Sequence, residues 1–295
     1  MRRWAVSEPD VVIREVGPRD GLQREEPLEP SRRLALIEGL AGCGFSEMEV
    51  AAFVSERAVP AMAGAAEVVA GLPEGAGCTW WALVPNLVGA ERAIAAGIEH
   101  MTVTVSASEE YSRRNVGMGA EESAAQAESI AAAVPVADVV ISCSFGSPYE
   151  GDIDPGAVAA LAARFEAAGA TVTLADTTGV ASPRRLGSLL ARTGTAVGLH
   201  LHDTRGSALV NAYAALELGV RRFDTSLGGL GGSPFAQDAG GNLATEDLVH
   251  LLDDLGTTTG VDLERLLAVD ELLRGWLGRP LPGRVAEAEL ARRRG

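Results

Sequence analysis

Two histidines separated by one leucine, His200-Leu201-His202, end an apolar run in a chain that has four histidines in all. Side chains two residues apart leave the same face of a β-strand. Both imidazoles would therefore converge on one point, as metal ligands do. A polar strand end with one buried, hydrogen-bonded histidine would satisfy the same tripeptide, so the choice falls to other residues. One absence narrows the chemistry. All 25 basic residues are arginine, whereas Schiff-base aldolases, pyridoxal-phosphate enzymes and P-loop nucleotide sites each need a lysine amine. Carbon–carbon bond chemistry here must use a metal ion as its electron sink.

The elements that position the pair follow from the hydrophobic pattern. Short β-type runs at 11–16, 48–53, 79–84, 100–105, 138–144, 171–176, 197–202 and 222–226 alternate with helical patterns. The helical patterns include 31–43, 87–97, 120–133, 155–168, 207–218 and 243–255. Strands alternating with helices imply a parallel sheet of the α/β class, and eight of them close a (β/α)8, or TIM, barrel. A doubly wound open sheet is the alternative, but no GxGxxG follows the first strand. Residues 261–295 read as additional C-terminal helices, interrupted by Gly278-Arg279-Pro280 and Pro282-Gly283. With no low-complexity linker, the 295 residues are expected to form a single barrel domain, its core at about 11–260.

Hydrophobic residues make up 47% of the chain and aromatics 4%, so the core must be built from Ala, Val and Leu. No apolar run reaches the roughly 18 residues needed to cross a bilayer, and the basic start at 1–10 has no apolar segment of a secretory signal. Cys43, Cys78 and Cys143 are widely spaced and show neither a disulfide framework nor a CxxC pair, which fits the cytoplasm. The net charge of −15 argues against nucleic acid as a partner. A surface ring of helices and an Ala-rich tail leave a homo-oligomer, such as a dimer, open.

Polar residues fall where a barrel would use them. Asp20 follows the first strand, Glu49 lies in the second and Asp176 ends the sixth. The histidine pair ends the seventh, and a glycine-rich segment follows the eighth. Barrel active sites lie at the carboxyl ends of the strands, so five strands deliver polar groups to one face. Taken singly, Asp20 reads equally as a turn residue, and Asn242 as a helix N-cap before Leu243.

Three segments carry a resemblance. They are Gly17-Pro18-Arg19-Asp20-Gly21-Leu22-Gln23, the pair followed by Asp203-Thr204, and Gly241-Asn242-Leu243-Ala244-Thr245-Glu246-Asp247. Together the chain resembles the 3-hydroxy-3-methylglutaryl-CoA lyase branch of the metal-dependent (β/α)8 lyase and aldolase superfamily, which also holds isopropylmalate and homocitrate synthases. The resemblance implies a lyase that cleaves a 3-hydroxy-3-methylacyl-CoA and binds Mn²⁺, Mg²⁺ or Co²⁺ through Asp20, His200, His202 and Asn242. It implies Arg19 as the catalytic arginine that stabilises the thioester enolate. It implies Glu49 beside the metal, and Gln23, Asp176 and Thr177 near the substrate. A related 2-oxo-acid aldolase and a non-catalytic metal-binding barrel are the rival readings.

The chain departs from that pattern at three places. Ser233 stands where the branch usually has a cysteine that acts in proton transfer, and a hydroxyl is a far weaker acid than a thiol (pKa about 8.5). Ser147 likewise replaces a usual cysteine. Val50-Ala51-Ala52 follows Glu49 where Thr and Ser are common, making that wall more apolar. The glycine-rich stretch 228–241 reads either as a lid, which the family favours, or as a static phosphate cradle.

Overall fold

Eight parallel strands pair in chain order and close on themselves in the computed structural model, which describes residues 9–232 and 240–294. They are β1 (Val12–Glu15), β2 (Glu47–Ala52), β3 (Thr79–Leu83), β4 (His100–Ser106), β5 (Val136–Ser142), β6 (Thr171–Asp176), β7 (Gly198–Leu201) and β8 (Arg222–Thr225). Closure runs from Val12 opposite Arg222 to Glu15 opposite Thr225. The helices are α1 (Pro30–Ala41), α2 (Ala65–Ala70), α3 (Leu87–Ala96), α4 (Glu109–Val116), α5 (Ala120–Ala133), α6 (Pro155–Ala167), α7 (Pro183–Thr193), α8 (Ala208–Leu218), α9 (Thr245–Asp254), α10 (Leu263–Leu277) and α11 (Arg284–Arg294). The expected (β/α)8 barrel with extra C-terminal helices is therefore present. α10 packs against α1 and α9, and α11 against α9.

Local chemistry explains the boundaries. α6 and α7 each begin with proline in the first turn behind a side-chain cap, Asp154 accepting from the Gly156 amide and Ser182 from the Arg185 amide. Such a cap is worth about 1 kcal/mol, and proline loses no hydrogen bond in that turn. Asn86 starts α3 in the same way, and Gly97, at φ 101°, ends it. α7 is not among the expected helical patterns, because Gly187-Ser188 interrupts the helical spacing of Leu186, Leu189 and Leu190.

Two expected strand ends shift. β5 stops at Ser142 because Cys143 adopts a left-handed backbone, φ 59°, at which a strand cannot continue. β7 stops at Leu201, and His202 instead forms an isolated antiparallel bridge with Asn242.

Outward strand residues such as Ile13, Met48, Val103, Ile141, Leu174, Leu199 and Phe223 are buried beneath the helices. The inward face is different. Arg14 on β1 reaches Asp138 on β5, which lies across the barrel, through a 2.7 Å ion pair. Its guanidinium lies 4.9 Å from the ring centroid of Trp81, on β3. Arg222 also pairs with Asp138 at 2.7 Å. Where barrels usually stack branched apolar side chains, this one holds a buried ion network.

Candidate metal centre

The segment after β1 makes one tight π-type turn, Gly17–Gly21, in which the Val16 carbonyl accepts from both the Arg19 and Gly21 amides. Proline in the first turn costs no hydrogen bond. Gly17 is required by packing, since a Cβ there would sit 2.5 Å from Glu15 Oε1. The turn presents Arg19 and Asp20, both buried, at the carboxyl end of the barrel. Glu15 anchors it from below, accepting from the amides of Gly17 at 2.7 Å and Leu227 at 2.9 Å and from the Thr245 hydroxyl at 2.6 Å.

Asp20, His200 and His202 converge, with one ligand-capable atom from each lying within 4.8 Å of the others. The two Nε2 atoms are 3.2 Å apart, and His200 Nε2 is 3.9 Å from Asp20 Oδ2. Asn242 joins them by donating Nδ2 to Asp20 Oδ2 at 2.7 Å and to the Leu230 carbonyl at 3.0 Å. It caps no helix, because α9 starts at Thr245 behind Ala244. Its Oδ1 is buried without a hydrogen-bond partner among the described residues, as is His202 Nδ1. An orphaned amide oxygen beside two imidazoles and a carboxylate is a donor set that suits a divalent transition ion or Mg²⁺, so these residues fit the group the family pattern implies.

Electrostatics act unequally on the donors. Burial opposes a charge on His200, yet Asp224 and Asp20 raise its imidazole above the usual range, whereas Asp20 and His202 are held in ligand form. Burial opposes the charge on Asp20, yet Arg19 and the neighbouring imidazoles hold its carboxyl below the usual carboxylate range. Burial, together with His200, pushes His202 down to about 3, so that imidazole is neutral. Glycine at 231 lets the chain close over the site. At φ 110°, a Cβ there would meet Asn242 Nδ2 at 2.4 Å and Asp20 Oδ2 at 3.1 Å.

Arg19 donates Nε to Glu49 Oε2 at 2.5 Å and Nη1 to Asp20 Oδ1 at 2.7 Å. Glu49 thus orients the guanidinium, while its Oε1 is buried and unpartnered among the described residues. Gln23, half-buried, donates to Asp20 Oδ1 at 2.8 Å. Asp176 and Thr177 bond elsewhere. The Asp176 carboxylate accepts from the Val180 and Ala181 amides, and burial raises it to about 6. The Thr177 hydroxyl accepts from the Cys143 amide at 2.9 Å. Ser147 shares the Glu150 carboxylate with Ser108. Ser233 lies outside the described residues, as does the rest of 233–239 in the loop read as a lid.

Two residues near the site were not anticipated. Asp224, on β8, accepts from His200 Nδ1 at 3.2 Å and takes a two-pronged contact from Arg14. Their signal was present as charged residues in the middle of strand patterns, where an apolar residue or a solvent-facing one is usual.

A family model described as HMGL-like matches residues 10–273. The chain belongs to this family. Among its members, the hydroxymethylglutaryl-CoA lyase of Pseudomonas mevalonii is 43% identical over 293 residues, spanning 96% of this chain and 97% of that protein. The (R)-citramalyl-CoA lyase of Chloroflexus aurantiacus is 41% identical over 300 residues, spanning 94% of each. A solved HMG-CoA lyase from Acinetobacter baumannii, in complex with coenzyme A and 3-methylmalate, superposes with a TM-score of 0.89 at 37% identity, covering 94% of both chains. These relatives thus match this chain over nearly its whole length.

Proposed function

We propose that this HMGL-like protein cleaves 3-hydroxy-3-methylglutaryl-CoA, or a close 3-hydroxy-3-methylacyl-CoA, to acetyl-CoA and acetoacetate or the corresponding 3-oxo acid. The observation that carries the reading is the placement of the Arg19 guanidinium beside the Asp20, His200 and His202 cluster. Full-length similarity to lyases of such thioesters supports it. Asp20, His200, His202 and Asn242 would hold Mn²⁺, Mg²⁺ or Co²⁺. When bound, the ion supplies Lewis-acid polarisation of the substrate 3-hydroxyl, which eases its deprotonation.

In the retro-Claisen step the 3-hydroxyl loses its proton and C3 becomes a ketone. The C2–C3 bond breaks with its electron pair passing to C2 and the thioester oxygen. The guanidinium of Arg19, held by Glu49, places fixed charge and N–H donors at that developing oxyanion. A proton delivered to C2 completes acetyl-CoA, and Ser233 is the residue proposed to relay it. Gln23 is proposed to contact the substrate, with Asp176 and Thr177 shaping the wall through the loops they pin. Burial of the cluster excludes water from the enolate.

The three cysteines are free, as a cytoplasmic setting expects, and no helix among the described residues is long and apolar enough to cross a membrane. A homodimer is supported by Val210, Tyr213 and Leu218, which leave apolar surface on α8. A second reading concerns the acyl group, because similarity to an (R)-citramalyl-CoA lyase is nearly as high. Turnover of purified protein with 3-hydroxy-3-methylglutaryl-CoA and with (R)-citramalyl-CoA, with products identified by mass spectrometry, separates the two. Faster cleavage of the former supports the first reading, and cleavage of the latter alone replaces it.

A further inference from the structure

We infer that Asp224 and Arg14 are positioning residues for the metal centre, fixing the ring and tautomer of His200 from inside the barrel. The inference rests on the metal-site reading above. Arg14 donates Nε to Asp224 Oδ1 at 2.8 Å and Nη2 to Oδ2 at 2.9 Å, so both carboxylate oxygens are engaged by one planar fork. The same Nη2 reaches Asp138 Oδ2 at 2.7 Å, and Asp138 is held in turn by Arg222 and the Thr171 and Thr173 hydroxyls. Two arginines and two aspartates therefore balance in charge within the barrel. Arg14, Asp138 and Asp224 are each at most 4% exposed. A carboxylate locked in this way has no freedom to turn.

Asp224 Oδ2 lies 3.2 Å from His200 Nδ1. A carboxylate is acceptor-only, so Nδ1 must carry the proton in that contact. The contact orients the ring so that Nε2 faces Asp20 and His202, and a neutral imidazole protonated at Nδ1 carries its lone pair on Nε2. Ligating histidines are commonly fixed by an outer partner of this sort. His202 has none among the described residues, where its Nδ1 is buried and unpartnered. The two imidazoles are therefore unequal. His200 is pre-set by the β1–β8 ion network, and His202 adapts to the ion.

The test combines one measurement on the wild type with variants. Long-range ¹H–¹⁵N correlation spectra of Mg²⁺-loaded protein labelled at its four histidines report which ring nitrogen of His200 bears hydrogen. Nδ1–H is expected, and a bare Nδ1 overturns the inference without recourse to any variant. Mn²⁺ affinity, measured by the loss of the free-ion paramagnetic signal, should fall ~10–100-fold in Asp224→Ala. Asp224→Asn, with one acceptor oxygen for both Arg14 and His200, should fall in between, and so should Arg14→Lys, which keeps the charge without the fork. Folded variants that bind Mn²⁺ within twofold of the wild type overturn the inference. If Asp224→Ala does not fold, the other two variants and the wild-type spectrum decide. Wild-type protein that binds no Mn²⁺ refutes the metal-site reading itself, a separate outcome.

Discussion

Replacing Gly231 by alanine perturbs the site through a single methyl group. That Cβ would lie 2.4 Å from Asn242 Nδ2, 3.3 Å from its Cγ and 3.1 Å from Asp20 Oδ2. Ordinary contact needs about 1 Å more than the nearest of these gaps. The amide must give way, and its 2.7 Å hydrogen bond to Asp20 is lost or badly bent. A hydrogen bond to a charged group is worth ~1.5–3 kcal/mol. At ~1.4 kcal/mol per tenfold, Mn²⁺ should bind ~10–100-fold more weakly. A separate cost falls on the fold, because φ is 110° at this position and a side chain there costs of order 1–3 kcal/mol. The protein should remain folded with a lowered Tm, given a typical stability of ~5–15 kcal/mol. Isothermal titration with Mn²⁺ and thermal unfolding, run in parallel, read the two effects. Gly275→Ala on α10 is the control, since among the described residues no atom beyond its chain neighbours and its own helix backbone would lie within 4 Å of its Cβ. It should leave the Kd unchanged and raise stability by ~0.5–1 kcal/mol. A folded Gly231→Ala protein with wild-type Mn²⁺ affinity would refute the role given to Asn242 and the close packing over it.

Arg19→Gln should lower kcat ~10²–10³-fold by removing the oxyanion donor, while steady-state analysis shows a much smaller change in KM. Glu246 is buried, and burial together with nearby Asp270 raises its carboxyl to about 8. A folded-state pKa above the unfolded one stabilises the protein below pH ~4.5, and that contribution is lost as pH rises to about 8. Denaturation of the wild type should therefore show stability declining across that window at up to ~1.4 kcal/mol per unit from this group, and Glu246→Gln should flatten the decline. Ser233→Cys should raise kcat with 3-hydroxy-3-methylglutaryl-CoA, and an unchanged rate would remove Ser233 from the proton path.

The strand and helix alternation was legible because short apolar runs, such as Val139-Val140-Ile141 in β5 and Trp80-Trp81-Ala82-Leu83 in β3, recur between turn residues. The histidine spacing placed two site residues on one inward face without further information. Asp20 and Asn242 could be joined to them only by family pattern, since their 2.7 Å bond spans 222 positions of sequence and no local periodicity encodes it. Backbone conformations escaped for a different reason. The left-handed Cys143 and the π-type turn at Gly17–Gly21 depend on tertiary contacts that override local propensity. Arg14 and Asp224 were passed over because a charge within a strand normally faces water. Here Arg14 meets Asp224 on the adjoining strand β8, a neighbour that only the closure of the barrel supplies.

The most direct measurement is acetoacetate release from 3-hydroxy-3-methylglutaryl-CoA by protein stripped with EDTA and then reconstituted with Mn²⁺ or Mg²⁺. The account predicts turnover that disappears with chelation, returns with the ion and is lost again in His200→Ala and His202→Ala. Turnover that persists at full rate in stripped protein, or in either histidine variant, would contradict it.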